Sequence, residues 1–336
     1  PIGQRAQDRL LIRFSSQENP FFWTPTATNT AGDLRVGSGS EIVTAVKTRR
    51  EVIILTDTSV HSMQFIGAPF TFGINQLASN ITVRGFNTAV AVGDAVFWMG
   101  YDRFYIYDGR VQVIPCSVRD HVFGDFNETQ SDKVYAGVNS AFGEVFWFYP
   151  SQTNALANGG TGENDKYVVY NYDQKIWYVG SLARTSWIDR GVYQYPMATD
   201  SNVVYNHEKG NDNDGTAFTS FIQSSPIDIQ DGDQFVFLRR MIPDVSFDNS
   251  DNDIGDGSKF VHMTLTGQRS PGGGFLTASS SSPANQVSTV TVNSSTEIGH
   301  VRLRARSFGL RVTSSASKVN WRLGTNRVDI RADGDR

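Results

Sequence analysis

The distribution of apolar residues along the 336-residue chain constrains its fold most, because these residues alternate with a period of two through most segments. Such alternation places successive side chains on opposite faces of a β-strand, whereas a helix needs recurrence every three to four residues. Residues 95–99, 144–149 and 167–172 show the pattern and are rich in Phe, Trp and Tyr. We therefore expect an all-β protein with less than ~10% helix, and a short helix within residues 117–126.

A strand motif recurs along the first part of the chain: a small apolar strand, a strongly aromatic strand, and a strand that ends in Tyr-Asp or Gly. The copies cover residues 41–67, 87–114 and 133–180, and a worn fourth copy covers residues 191–221. Ile53, Phe97 and Phe146 are equivalent, so the steps are 44 and 49 residues. Periods of ~40–50 residues with four short strands are typical of propeller blades. We predict a β-propeller over residues 1–245.

The pattern changes after about residue 247. Residues 301–306 and 328–330 alternate sharply between apolar and charged side chains. Antiparallel strands that are buried on one face only have this pattern. We therefore predict a C-terminal β-sandwich or platform domain over residues 246–336, with the boundary near residue 245.

The charge is unevenly distributed. The whole chain carries −4, so its surface as a whole is not one that neutralises DNA. Residues 301–336 carry +6, which leaves −10 on residues 1–300. Arg302, Arg304 and Arg306 project from one face of a strand. This row is a candidate interface for an acidic partner or nucleic-acid phosphates, and the alternative is a solvated face that discourages edge pairing.

No pattern in the sequence indicates catalysis, a cofactor or a metal centre. The five histidines, which lack metal-ligand spacing, are His61, His121, His207, His262 and His300. Cys116 is the single cysteine and is expected to be buried. The run Gly272–Gly274 lacks the Lys-Ser/Thr of a nucleotide-binding loop. We expect no enzymatic activity, no cofactor, and no catalytic, cofactor-binding or metal-binding residues.

Two polar loops each have two interpretations. Residues 248–256 hold four Asp and two Asn, which suits either a calcium site without EF-hand spacing or a solvated loop. Residues 211–218 resemble the Asp-box turn of sialidase-type propellers, with Asn213 at the Asp position and Phe218 at the Trp position. An ordinary β-turn before a strand explains the same residues.

The chain has no pattern of a targeting or membrane segment. No apolar stretch reaches the ~18 residues of a membrane span, and the first residues do not form a signal peptide. The chain starts at Pro1 within what looks like an ongoing strand pattern, so we expect a fragment.

Four stretches carry a family resemblance. They are residues 11–16 with 19–25 (Asn-Pro-Phe-Phe-Trp-Thr-Pro), residues 51–57 with 65–67, residues 96–100 with 107–109, and the ending from 304–306 through 319–324 to 328–336. Together they resemble the tail nozzle family of podoviruses, also called tail tubular protein B or packaged-DNA stabilisation protein. The resemblance spans nearly the whole chain, and the ending is its most specific part. A recognisable N-terminal part of the family is missing, which leaves open whether a full propeller is covered.

The resemblance implies a structural protein of the virion tail that is assembled in the host cytoplasm. Members form a six-fold ring below the portal and adaptor, contain a propeller and β-platform domains, retain the packaged genome and let it pass at ejection. The implied partners are other copies of this chain in a hexameric ring, the adaptor or head-to-tail connector protein, and tail fibre or tail needle proteins. Double-stranded DNA would pass through without sequence-specific binding, and no membrane is involved.

Two other functions stay open on the residues alone. One is a carbohydrate-binding or glycan-degrading propeller, which needs exposed Trp or Tyr and paired carboxylates in one pocket. The other is a propeller scaffold for protein binding. If the chain forms a ring, we expect Asp and Glu to outnumber Lys and Arg around the channel, because a basic wall would hold phosphates by counterion release.

Overall fold

The computed structural model describes residues 8–229, 232–270 and 287–334. The run Gly272–Gly274 and the start of the chain at residues 1–7 lie outside the described residues. The protein is nearly all β, with 48% strand and 6% helix, which confirms the predicted class. It divides into two compact units, Pro1–Glu208 (unit 1) and Lys209–Arg336 (unit 2).

Unit 1 is a series of antiparallel sheets in chain order. A two-stranded sheet comes first, three four-stranded sheets follow, and a three-stranded sheet comes last. The strands are β1 (Leu11–Phe14) and β2 (Gly32–Arg35); β3 (Ile42–Lys47), β4 (Val52–Thr56), β5 (Ser59–Gly67) and β6 (Thr71–Ser79); β7 (Ala89–Val92), β8 (Ala95–Met99), β9 (Phe104–Tyr107) and β10 (Val111–Ile114); β11 (Tyr135–Asn139), β12 (Glu144–Tyr149), β13 (Lys166–Asn171) and β14 (Ile176–Ser181); and β15 (Ser186–Ile188), β16 (Met197–Asp200) and β17 (Val203–Asn206).

Each of the three clear sequence repeats lies in one four-stranded sheet, with neighbouring strands paired in chain order. The first sheet extends beyond its predicted repeat, because β6 follows residue 67. The predicted short helix is confirmed as α1 (Arg119–Gly124). Two 3₁₀ turns follow it, at Glu128–Lys133 and Leu156–Asn158.

The prediction for the fourth repeat, residues 191–221, was wrong. The last sheet of unit 1 starts at β15 and has three strands. Phe221, assigned to that repeat, pairs with Thr313 in unit 2 instead. A polar stretch between Asn206 and Ser220 separates the two pairings and breaks the repeat.

Successive sheets of unit 1 pack face to face, which explains strands that are apolar on both sides. Phe97 and Trp98 are neighbours on β8 and therefore point to opposite faces, yet both are buried. Trp98 packs with Ile53 and Leu55 of the preceding sheet. Phe97 packs in a different core with residues of the following sheet, such as Trp147. Further cores join β1–β2 to β3–β6 and join β11–β14 to β15–β17.

The first strands of the last four sheets of unit 1 lie side by side. β7 lies between β3 and β11, and β15 lies beside β11. Within the described residues no sheet closes on itself. Over residues 8–208, unit 1 is therefore an open stack of five sheets, and the first strands of the last four sheets lie side by side.

Across residues 209–229, 232–270 and 287–334, unit 2 contains two sheets and one additional strand pair. The strands are β18 (Ser220–Gln223), β19 (Ile227–Asp228), β20 (Val236–Ile242), β21 (Val245–Ser246), β22 (Phe260–Gln268), β23 (Val287–Asn293), β24 (Gly299–Ala305), β25 (Ser307–Ser314), β26 (Arg322–Leu323) and β27 (Arg327–Ala332), with a 3₁₀ turn at Asp256–Ser258. One sheet has the order β18-β25-β22-β23, with β19 also on β25, and the other has the order β24-β20-β27. Leu265 of the first sheet packs with Leu238 and Leu303 of the second, as expected of a β-sandwich.

The division between units falls at Glu208 and not near the predicted residue 245. Residues 220–223 pair with β25, and β20 is the central strand of the sheet β24-β20-β27. Pairing with strands that come much later in the chain therefore draws residues 209–245 into the second unit.

Candidate functional site

A groove of about 700 Å³ runs along the first strands of unit 1. β3, β7, β11 and β15 all contribute to its lining. Gly137 leaves room for the Trp187 ring, because a Cβ at this position would collide with the indole. Lys47 and Asp189 bring opposite charges to the lining. The groove can therefore receive another chain or a small ligand. Ser140 and Asp189 both line it, and the Ser140 backbone N–H donates to the Asp189 carboxylate at 3.3 Å.

A carboxylate pair lies on one side of the sheet β11–β14. Glu144 is the cross-strand neighbour of Asn139, and the Asn139 amide donates to Glu208 at 3.1 Å. The Tyr178 hydroxyl donates to a Glu144 carboxylate oxygen. Burial raises the pKa of Glu144, and the charge of Glu208 raises it further, while the Tyr178 hydrogen bond opposes both. Glu208 is partly exposed, and desolvation by the neighbouring protein atoms raises its pKa, against the hydrogen bond from Asn139. Neither carboxylate lines the groove.

A second polar group lies beside the last sheet of unit 1. Arg184 is almost fully buried, and its Nε donates to Nε2 of His207 at 2.9 Å. The His207 ring packs against Trp187 with 4.9 Å between centroids. Burial lowers the pKa of His207 to about 4, and the Arg184 charge lowers it further. The His207 ring is therefore neutral at neutral pH, and its unprotonated Nε2 can accept the hydrogen bond from Arg184.

The three arginines of the predicted interface row have different environments. Arg302 is exposed. Arg304 is partly buried, stacks over Phe235 at 4.2 Å and forms an ion pair with Asp333. Arg306 also stacks over Phe235, at 4.8 Å. The row lies at one edge of the sheet β24-β20-β27, and two of its members are already engaged within unit 2.

The acidic loop distributes its carboxylates among separate partners. Asp253 pairs with Lys318, Asp256 pairs with Lys259, and Asp251 accepts from Asn211. In the part of the chain that the structure describes, no group of three or more His, Cys, Asp or Glu side chains is placed to hold a metal ion. These ion pairs and this hydrogen bond are compatible with a solvated loop.

The remaining sequence candidates are the Asp-box resemblance, His61 and Cys116, and each has contacts within its own part of the fold. Asn213 and Thr216 form an isolated bridge, which is the turn of the alternative interpretation. His61 is buried between the hydroxyls of Ser38 and Ser59. Burial raises the pKa of Cys116 to about 11, so its thiol stays protonated and unreactive at neutral pH. No helix of the described residues is long and apolar enough to span a membrane.

Sequence reasoning missed the carboxylate pair and both buried arginines, Arg84 and Arg184. The only available signal for the pair was Glu144 at the start of a strand that is otherwise aromatic. Glu208 gave no signal, because it lies 64 residues further along the chain. Folding alone brings it to Asn139.

Comparisons with known proteins identify no relative. No family model and no curated protein matches the chain. A lectin from Cicer arietinum aligns in structure at 12% identity over 51% of this chain and 89% of the lectin, with a TM-score of 0.25. An exo-β-1,3-galactanase from Phanerochaete chrysosporium aligns at 9% identity over 83% of this chain and 78% of that chain, with a TM-score of 0.24. Structural agreement at this level does not indicate a shared fold.

Proposed function

We propose that this chain is a structural component of the tail nozzle of a short-tailed bacteriophage. In this proposal unit 1 is an arc of propeller blades, unit 2 is a β-sandwich platform, and copies of the chain form a ring that retains the genome and conducts it at ejection. The observation that carries the proposal is the side-by-side placement of β3, β7, β11 and β15 along one groove. First strands around an axis, with a meander outward from each, are the plan of propeller blades.

The stretches that resemble the nozzle family occupy positions that suit this role. Residues 51–57 and 96–100 include the buried strands β4 and β8, which form the stack itself. Residues 19–25 form an exposed aromatic loop. The ending includes β26 and β27 of unit 2. Both the scaffold and the exposed surface of the chain therefore contribute to the resemblance.

The charge distribution is compatible with a conduit. Residues 1–208 hold 20 Asp and Glu against 16 Lys and Arg. A wall with this balance gains little from phosphate neutralisation, so DNA could slide along it. Retention of the genome would then be mechanical, through the partners of the ring.

Native mass spectrometry of the reconstituted tail tests the proposal. We expect six copies of the chain per virion. These copies should contact the adaptor and the fibre or needle proteins. An electron micrograph should show a central channel with more Asp and Glu than Lys and Arg on its wall. A single copy per particle, or a channel lined by Arg302, Arg304 and Arg306, would exclude it.

One observation favours a second candidate, a glycan-degrading protein. Glu144 and Glu208 are paired carboxylates with raised pKa values, and Tyr178 lies beside them. Glycoside hydrolysis uses a carboxyl group with a raised pKa together with a second carboxylate. Hydrolysis of surface polysaccharide by the purified protein, abolished by either Glu144→Gln or Glu208→Gln, would establish this activity. Equal turnover by wild type and both variants would exclude the pair as its catalyst.

A further inference from the structure

We infer that two apolar patches at opposite ends of the unit 1 stack bind each other between neighbouring copies of this chain. The inference deepens the proposed ring and depends on it for the closed geometry. The front patch consists of Phe21, Phe22, Trp23, Phe65, Ile66 and Phe70. The back patch consists of Ile188, Val192, Tyr193 and Val204.

The front patch lies beside the first two sheets of the stack. Phe21 is 86% exposed and Phe70 is 71% exposed, and the other four side chains are also exposed. The patch combines the loop after β1 with the tip of the β5–β6 hairpin. Phe72 on β6 packs edge-on against both Phe14 and Phe65, at 5.0 and 5.8 Å, and so joins the hairpin to the end of β1, where the loop starts.

Backbone contacts hold the aromatic loop in a defined conformation. Arg13 donates to the Trp23 carbonyl at 2.7 Å, and the Ser16 backbone N–H donates to the Phe22 carbonyl at 2.8 Å. Phe21 and Phe22 therefore stay outside the core even though the loop that carries them is well anchored. An ordered loop loses less conformational entropy when a partner covers it.

The back patch covers the other end of the stack. Trp187, Ala198 and Tyr205 are cross-strand neighbours, and Trp187 and Ala198 pack in the core shared with β11–β14. Side chains alternate along a strand, so Ile188 and Val204 belong to the opposite face. Both are exposed, and Val192 in the adjoining loop is 95% exposed. This is the face on which another sheet would stack.

The size and position of the patches point to a second copy as the occupant. A fully exposed aromatic side chain offers about 200 Å², so the front patch presents roughly 700 Å² of apolar surface, close to the ~800 Å² that each partner buries in a standard interface. Monomers rarely leave apolar patches of this size uncovered. Two four-stranded sheets, β7–β10 and β11–β14, lie between the sheet that carries Phe65 and the sheet of the back patch. A contact between them is therefore head-to-tail, and a head-to-tail contact forms a ring when its rotation closes.

Complementary blocking tests this contact. The front-blocked variant carries Phe21→Ser, Phe22→Ser and Phe70→Ser, and the back-blocked variant carries Val192→Ser and Val204→Ser. Leu156→Ser is the matched control, because Leu156 is 62% exposed and lies outside both patches. Native mass spectrometry at micromolar concentration should show oligomers for wild type and control, and monomers for each blocked variant alone. Unchanged circular dichroism and melting temperature would confirm that the variants fold.

The mixture of the two blocked variants is decisive. It should form one-to-one dimers and nothing larger, since one intact front and one intact back remain. If only the front-blocked variant loses assembly and mixing does not rescue it, the patches pair front to front and the inference is overturned. A wild type that is monomeric at every concentration would also overturn the inference. If the mixed variants form dimers but the wild-type ring does not contain six copies, the contact between the patches is supported and the proposed six-fold nozzle is not.

Discussion

The indole N–H of Trp147 donates to the backbone carbonyl of Thr88 at 2.9 Å, and both residues are fully buried. Trp147 lies on β12, while Thr88 immediately precedes β7, so the bond joins two consecutive sheets of the stack. Trp187 repeats this arrangement one sheet further on, because its indole donates to the Val138 carbonyl at 2.7 Å. Tryptophan thus supplies both apolar area and a directional bond at these contacts between sheets.

Substitution of Trp147 separates these two contributions. Trp147→Phe should lower the free energy of unfolding by about 1 kcal/mol, because the Thr88 carbonyl still accepts from the Met99 N–H. Trp147→Ala should lower it by about 3–5 kcal/mol through the cavity it leaves. Urea unfolding followed by circular dichroism measures both. Phe142→Ala is the control, because the Phe142 ring is half-exposed, and it should change the free energy of unfolding little. An equal loss of stability in all three variants would contradict the role assigned to Trp147.

Arg84 should be more important for stability than its acidic partner. Its guanidinium is fully buried, stacks on Phe126 at 4.1 Å and donates to the Tyr101 carbonyl, whereas Glu128 is 65% exposed. We expect Arg84→Met to cost about 3 kcal/mol, since it leaves buried carbonyls unpaired. Glu128→Gln should cost less than ~1 kcal/mol, as for other exposed ion pairs. Thermal melts of both variants would show whether this order holds.

His207 should make folding sensitive to acid. Its folded-state pKa of about 4 lies below the ~6.5 of an unfolded histidine, so the unfolded chain takes up a proton that the folded chain does not. This contribution to stability is complete above pH ~6.5 and is lost as the pH falls towards 4, up to roughly 3 kcal/mol. In His207→Gln the glutamine amide oxygen can still accept a hydrogen bond from Arg184. This variant should show a smaller change of melting temperature between pH ~6.5 and pH ~4 than the wild type. A slope identical to that of the wild type would rule out His207 as its origin.

The arginine row should separate into an interface residue and a structural residue. Arg302→Glu should leave the melting temperature unchanged but weaken assembly, more at low salt than at high salt, because ions screen exposed charges. Arg304→Glu should also lower the melting temperature, since it removes the Asp333 ion pair and the stacking on Phe235. The triple exchange of Arg302, Arg304 and Arg306 to Glu should combine both effects. Assembly that is unchanged at both salt concentrations would show that the row is only a solvated face.

Prediction from the sequence succeeded where the cause was local. The three repeats were predicted because each sheet is a meander of neighbouring strands, and α1 was predicted because it interrupts the period-two pattern. The domain boundary was misplaced because β18 and β20 pair with β24, β25 and β27, and the paired residues are 58 or more positions apart in the chain. No short-range pattern encodes such a pairing.

The sequence by itself determined the strands of the three clear repeats, their grouping into separate sheets and their burial on both faces. These properties follow from the pleat, which sends successive side chains to opposite sides, and from turns that pair each strand with the next. Only the tertiary structure decided which polar groups are buried and what they contact. Arg84 reaches Glu128, Asn139 reaches Glu208, and Arg184 reaches His207. Their burial and pKa values depend on neighbours that lie far away in the sequence. Only the packing of sheets and loops brings these neighbours close, and no sequence pattern indicates these contacts.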